Sequence, residues 1–351
     1  PVEESLSDSI IDALLARARE AIFVDWPISL LGELRGYPRA GDGLLALARG
    51  EKVDGWVRWQ AVGALGRLGR AEDLLALARD ERVAWRVRER AAEVLGELGR
   101  AEDLLALARD EKVIWWVRLR AVKALGELGW AEEAASILLA LARDERVDVR
   151  LDAAEMLGHL GRTEEAAQAW LVLARDGKVA WELRWQAVEA LGRLGRVKDL
   201  LALAHDERVD EGMRARAAEV LGRLGRAEEA AQAWLVLARD ERVDQGMRVR
   251  AAGALIRLGQ VKEATPILLA LARNEQVDEN VRLRAAETLS ELGQAERAVQ
   301  AWLVLARDEK MDGRVRLRAA GMLGRLGRAE EAAQAWLALA RDEKVDGWVR
   351  V

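Results

Sequence analysis

Three kinds of residue in this chain could do chemistry, and each recurs at a fixed interval. Carboxylates stand together as RDE or RAEE runs, for example Arg79-Asp80-Glu81 and Arg226-Ala227-Glu228-Glu229. General acid–base catalysis needs two carboxylates in different environments. The same pair copied many times in similar turns reads instead as solvated caps and ion pairs. An arginine stands at Arg58, Arg88, Arg118, Arg150, Arg184, Arg214, Arg248, Arg282, Arg316 and Arg350. Such a ladder could hold phosphate or an acidic peptide. The reading preferred is that each arginine bonds a turn aspartate, because the two recur in equal step and neutralise each other. Glu89, Glu93 and Glu97 also interrupt any positive strip. His159 and His205 are isolated in a chain without cysteine, so they make no metal site.

The third kind is tryptophan, 14 against one Phe and one Tyr. Trp170, Trp234, Trp302 and Trp336 share one repeat position with Leu138 and Leu268, and interchange with Leu predicts buried packing. Trp56, Trp85, Trp115, Trp116, Trp181 and Trp348 fall in the three residues that precede a helix-opening Val, Leu or Met, where the repeats vary most. Trp59 and Trp185 sit two residues after that opening residue, at a position turned from the repeat's own core, so packing on the next unit is the plain alternative. We expect Trp56, Trp59, Trp85, Trp115 and Trp116 to form a partly exposed aromatic patch on three neighbouring loops, with Arg86, Arg88 and Glu89 at its rim. Trp181 and Trp185 are a later copy. Clustered exposed aromatics mark partner sites, and Trp and Arg are the usual hot-spot residues.

The elements that must position these residues come from one iterated unit. Close copies of Val87–Gly96 begin at Val57, Val117, Val149, Leu183, Met213, Met247, Val281 and Val315, with a tenth cut off at Val349; spacings run from 30 to 34 residues. A period in that range marks stacked helical repeats. Asp54, Asp210, Asp244, Asp278, Asp312 and Asp346 are placed as N-caps. Val57, Ala61, Ala64, Leu65 and Leu68 share one helical face, and Gly69 and its equivalents end the helix. Gly66, Gly96, Gly126, Gly158, Gly192, Gly222 and Gly324 lie inside it, which implies close approach of a neighbour. The partner helix is short (Ala71 to Arg79) or four residues longer (Ala227 to Arg239), close to one turn, so its apolar face keeps phase. Thr265-Pro266 predicts a late start for one long helix. Residues 1–56 read as degenerate capping helices and a worn first repeat: a helix from about Ser7 to Glu20 with Ile10, Ile11, Leu14 and Leu15 inward, then breaks at Trp26-Pro27 and Tyr37-Pro38.

The pattern LLALARDERV followed by VRxRAAxxLGxLG resembles the HEAT repeat in its bacterial, PBS-lyase-type form, over residues 44–351. Two departures are a longer turn after the Asp and Asn274 where an Asp belongs. The resemblance implies an all-α, right-handed α-α superhelix of about ten two-helix repeats, with the VRxRAA helices lining the concave side. In repeat style the array also resembles the C-terminal sensor regions of bacterial NACHT/STAND-type NTPases, although no GxxxxGK[ST] loop is present.

Composition bounds the function. A net charge of −5 gives no bulk electrostatic case for nucleic acid or an anionic membrane. No apolar run is long enough to cross a bilayer, and no signal peptide is visible, which fits a cytoplasmic protein. The chain starts at Pro1 and stops three residues into a repeat, so it reads as part of a longer polypeptide. The expectation is a non-catalytic protein- or peptide-recognition scaffold without cofactor, the sensor or interaction region of a larger bacterial signalling or defence protein. The alternatives are a HEAT-like enzyme of the bilin-lyase or DNA-repair type, which needs a unique acid, base or Cys, and a purely structural spacer, which needs the loop Trp residues buried.

Overall fold

The computed structural model describes residues 2–20 and 26–342, with side chains from Asp8 onward. Asp346, Trp348, Arg350 and the tenth copy at Val349 lie outside the described residues. Among the described residues there are twenty-one helices and no strand. The chain divides into two compact units, Pro1–Ala169 and Trp170–Val351.

The first unit holds α1 (Val2–Glu20), α2 (Trp26–Glu33), α3 (Pro38–Arg49), α4 (Gly55–Arg67), α5 (Ala71–Arg79), α6 (Trp85–Glu97), α7 (Ala101–Arg109), α8 (Trp115–Glu127), α9 (Ala131–Leu141) and α10 (Val147–His159); the division falls within α11 (Thr163–Arg175). The second holds α12 (Trp181–Arg193), α13 (Val197–His205), α14 (Glu211–Arg223), α15 (Ala227–Arg239), α16 (Gln245–Arg257), α17 (Val261–Arg273), α18 (Glu279–Glu291), α19 (Ala295–Arg307), α20 (Gly313–Arg325) and α21 (Ala329–Arg341). Within each unit the helices form two layers. Even-numbered helices pack on even (α4 on α6, α6 on α8; α12 on α14), odd on odd (α5 on α7; α13 on α15, α15 on α17), and α3, α5, α7, α9, α13, α15, α17 and α19 each pack on the even helix that follows. The even helices from α4 are all 13 residues long, while the odd ones are 9 in α5, α7 and α13 and 13 in α15, α17, α19 and α21. A difference of four residues adds one turn without rotating the buried face.

Local chemistry sets each boundary. The carboxylates of Asp54, Asp210, Asp244, Asp278 and Asp312 accept from first-turn N–H groups of α4, α14, α16, α18 and α20. At the other end Gly69 takes φ +74° and donates to the Gly66 carbonyl at 2.8 Å, while Arg70 N–H reaches the Leu65 carbonyl at 3.0 Å. That is the Schellman arrangement, for which a left-handed glycine is the low-cost residue. The odd-to-even turn is pinned twice: Asp80 Oδ1 accepts from Arg82 N–H at 3.0 Å, and Val83 plugs the core at 7% exposure. Between that valine and the helix-opening one nothing is anchored inward, so the residues there can vary.

Three expectations need correction. α1 begins at Val2, not Ser7, and Ile10 is 51% exposed. The stripe of Ile11, Leu14, Leu15 and Ala18 faces inward, and Ile10 lies about 100° from its centre. Pro266 does not open its helix. α17 starts five residues earlier and carries the proline inside. Only one backbone bond is lost there, to the Lys262 carbonyl, and buried Ala264, Leu268, Leu269 and Leu271 hold the helix on both sides of it. The helical glycines also differ. A Cβ at Gly66, Gly96, Gly126 or Gly192 would lie 2.4–2.8 Å from a neighbouring side chain, as close approach requires. At Gly222 the nearest atom is Ala230 Cβ at 3.9 Å, so the site is open. Gly222→Ala should therefore stabilise by about 0.5–1 kcal/mol through helix propensity. Gly192→Ala should destabilise, because the stiff Val220 side chain 2.5 Å from the new Cβ makes about 1–3 kcal/mol of overpacking outweigh that gain. Thermal melts of the two single variants, moving in opposite directions, check this.

Candidate recognition site

The first turns of α4, α6 and α8 carry five indoles. Trp56 and Trp59 stack at 5.3 Å between ring centroids with planes 10° apart. Trp116 sits edge-on to Trp85 at 6.4 Å and to Trp115 at 5.6 Å. The two groups are joined by a cavity of about 690 Å³ lined by Asp54, Gly55, Trp56, Arg58, Trp59, Ala84, Trp85, Arg86 and Val87. Trp56 is 44% and Trp85 50% exposed, while Trp59, Trp115 and Trp116 are half-buried. The indole N–H groups of Trp115 and Trp116 are buried with no hydrogen-bond partner. Aromatic area is thus presented at the ends of helices held rigidly by the stack beneath.

Arginines cover part of it. The Arg90 guanidinium lies 4.5 Å over the Trp59 ring and is held there by Glu93 and Glu97, each at 2.9 Å. Arg86 lies 5.1 Å over Trp85, and Arg146 5.2 Å over Trp115. Such pairs are attractive because the cation faces the ring quadrupole. Arg86 is exposed at the rim, as expected. Arg88 is not: it is 5% exposed, its Nε donating to the Ala78 carbonyl at 3.1 Å. Burial pulls its guanidinium below the ordinary value, against Glu81 and Asp80. The step of one residue from 87 to 88 keeps the side chain beside the turn instead of at the mouth. Glu89 is half-buried and paired with Arg120.

Behind Trp115 and Trp116 a second hollow of about 390 Å³ includes Arg120, Lys123, Asp152, Glu155 and Met156. Burial, then the neighbouring Glu155 and Asp148 charges, push the Asp152 carboxyl above its usual range. Sequence reasoning missed Arg90, Arg146 and Asp152; the two arginines come from a different repeat than the rings they cover, and Asp152 lines its hollow together with residues of the preceding repeat. A repeat-by-repeat alignment carries no signal for such contacts.

Trp181 and Trp185 belong to the second unit and form a pair of their own on α12, edge to face at 4.5 Å. Arg216 lies 4.2 Å over Trp185, whose Nε1 donates to Glu189 at 3.3 Å. Burial works to raise the Glu189 carboxyl, but Arg223, Arg216 and the Trp185 N–H outweigh it and hold it below the usual range. Trp181 is 43% exposed.

The arginine ladder is structural in the second unit. Arg214, Arg282 and Arg316 reach Asp240, Asp308 and Asp342 at 3.4, 2.7 and 2.6 Å. Arg184 reaches Asp210 at 2.6 Å. An additional partner is the carbonyl ten residues earlier, which Arg214, Arg248 and Arg282 each bond at 3.1 Å. His159 is exposed beside Glu155, and His205 is exposed. Among the described residues no group of three or more His, Cys, Asp or Glu could hold a metal, and no helix is long and apolar enough to cross a membrane.

No curated protein sequence matches the chain. Among solved structures it is similar to Kap121p bound to Pho4p (13% identity, TM-score 0.54, covering 95% of this chain and 43% of that one). It is also similar to the karyopherin Kap121p bound to the extreme C-terminus of the protein phosphatase Cdc14p (13%, TM-score 0.55, 96% and 44%). The chain therefore spans less than half the length of these karyopherin chains, and at such identity the likeness concerns fold. The CpcE–CpcF phycocyanin lyase complex from Nostoc sp. PCC7120 matches at 18% identity over 71% of this chain and 94% of that one, with a TM-score of 0.29, too loose a superposition to bear on function. Residues 72–158 match the family of HEAT repeats, and the fold is an all-α, HEAT-like solenoid of helix pairs.

Proposed function

We propose that this chain is a non-catalytic recognition scaffold, and that a protein or peptide docks on the indoles of α4, α6 and α8. The observation that carries the reading is the pair of exposed tryptophans, Trp56 and Trp85, facing one cavity on consecutive helix starts. Large aromatic rings on rigid elements bury much area at little entropic cost. A spacer would have no use for them in water. Arg86 at the rim and the half-buried Trp59, Trp115 and Trp116 complete the surface, with Trp181 and Trp185 as a second contact on the other unit. In context, we read the chain as the interaction region of a larger bacterial, cytoplasmic signalling or defence protein of the NACHT/STAND kind, which its repeat style supports; the reading frame on either side of Pro1 and Val351 tests that part.

The docking surface is tested by the triple variant Trp56→Ala/Trp85→Ala/Trp115→Ala. Two of the three rings are exposed, so the variant should fold, as helical circular dichroism would show. Affinity for a partner captured by the parent chain should fall by at least about 100-fold, since hot-spot residues of this type contribute 2 kcal/mol or more each. Equal affinity in titration calorimetry would remove the site.

A further inference from the structure

The arginine ladder follows a spacing rule, and two of the three places where it finds no carboxylate lie under the aromatic surface. In the second unit three ladder arginines meet a carboxylate 26 residues later, Arg214 with Asp240, Arg282 with Asp308 and Arg316 with Asp342, while Arg248 has Asn274 at that place. Arg184 with Asp210 keeps the same separation. Asp210 does two jobs at once. Its Oδ2 takes Arg184 Nη1 at 2.6 Å, and its Oδ1 caps α14 through the Met213 N–H at 3.0 Å. Counting 26 residues from Arg58 and Arg88 arrives at Ala84 and Ile114. Neither has a carboxylate, and α6 and α8 accordingly start with no side-chain cap. Arg58 Nε is buried without a hydrogen-bond partner, and so is Nη2 of the 5%-exposed Arg88; Arg184 Nε and Arg214 Nη2 are too, but those two arginines meet a carboxylate through Nη1.

At Ala84 the missing side chain is replaced by space. Ala84, Arg58, Arg86 and the start of α6 all line the 690 Å³ cavity, with Trp56, Trp59 and Trp85 as its apolar walls. Asp54, the one carboxylate there, is engaged in capping α4 through the Trp56 N–H at 2.8 Å. Arg88 lines the neighbouring hollow of about 460 Å³ together with Ile114, Trp115, Lys112, Arg118 and Arg146, alongside Glu81, Glu111 and Asp144. An uncapped helix start offers first-turn N–H groups and the positive end of the dipole to an anion.

Building on the aromatic docking surface, we propose that a partner peptide supplies the absent carboxylate: an Asp or Glu side chain inserts at Ala84 between Arg58, Arg86 and the first turn of α6, while an adjacent apolar or aromatic residue packs on Trp56, Trp59 and Trp85. The chain keeps an unfilled half of an ion pair that its own later repeats complete internally. The occupant is acidic, although the protein as a whole is acidic too.

The test is a peptide library displayed as fusions blocked at the C-terminus, so that only side-chain carboxylates can compete, selected against the whole chain. Enriched peptides should carry Asp or Glu next to an aromatic or large aliphatic residue. In the best synthetic, end-blocked peptide, Glu→Gln should weaken binding about tenfold or more, as loss of a charge-assisted contact does. Ala84→Asp in the protein provides the carboxylate in cis, as Asp210 does for Arg184. It should weaken the peptide by at least about tenfold while raising the melting temperature, so a loss of binding cannot come from unfolding. Enrichment of Lys or Arg, no charge preference, tighter binding of a phosphoserine peptide than of the Glu peptide, or unchanged affinity of the Ala84→Asp chain would each overturn the carboxylate subsite. Loss of the peptide in the triple tryptophan variant but not in Ala84→Asp leaves the aromatic surface standing and removes only the subsite. Retention by the triple variant, or no enriched peptide at all, removes the recognition reading itself.

Discussion

Arg282→Ala should destabilise the second unit by about 3–5 kcal/mol, because removing one member of a buried ion pair strands the other. Arg282 is 3% exposed. Its Nε donates to the Ala272 carbonyl at 3.1 Å and its Nη1 to Asp308 at 2.7 Å, a carboxylate whose side chain is itself only 10% exposed. Burial works to raise the Asp308 carboxyl, but the bonds from Arg282 and the Lys310 N–H, with both their charges, outweigh it and hold the group below the usual range. The sign for pH follows. A carboxylate depressed in the folded state contributes stability that is present above its unfolded pKa, near 3.8, and lost as pH falls through the lower folded value. Without Arg282 the burial effect is unopposed by that charge, so Asp308 should titrate higher. The gap between parent and variant is therefore expected to be widest near neutral pH and to narrow on acidification below about pH 4. Denaturant melts of both chains at pH 7 and at the lowest pH where both fold would check it, and a gap independent of pH would refute the assignment to Asp308.

Trp302→Ala should cost about 3–5 kcal/mol, while Trp336→Ala at the same repeat position should change stability by less than about 1 kcal/mol. Trp302 is fully buried, and its Nε1 donates to Ser290 Oγ at 2.8 Å. Trp170 and Trp234 are equally enclosed, each at 4% exposure. Trp336 is 46% exposed, against the expectation that all four are core. It lies on α21, the last described helix, and no described helix follows to cover that face. Trp302→Phe should recover most of the loss, because the ring's area remains and only the bond to Ser290 is gone. Tm measurements on the three variants separate packing from hydrogen bonding.

The arginines show how far a repeat template carries. Alignment of the copies marks the same residue at Arg58, Arg88, Arg184, Arg214, Arg282 and Arg316, and the choice of an Asp partner over a free basic ladder was right for the last four. It could not separate the first two, because the partner is selected by position 26 residues on, in the next repeat, and the spacing rule emerges only from the packed helices. The AWR and IWW loops already displayed the lost aspartates beside their tryptophans. What they lacked was the arginine that each aspartate would have faced.

By itself the sequence determined the period, the nearly all-helical content, the N-cap aspartates, the left-handed glycines such as Gly69 and the two lengths of the odd helices. All of these follow from hydrogen bonds and side-chain periodicity within a dozen residues. Only the tertiary structure decided that Arg88 is buried while Arg86 is at the rim, that Gly192 is crowded while Gly222 is open, that Trp302 is enclosed while Trp336 is not, and that Arg58 and Arg88 lack carboxylates. Identical residues in identical repeats part company there, because burial and charge pairing are properties of the neighbour some thirty residues away.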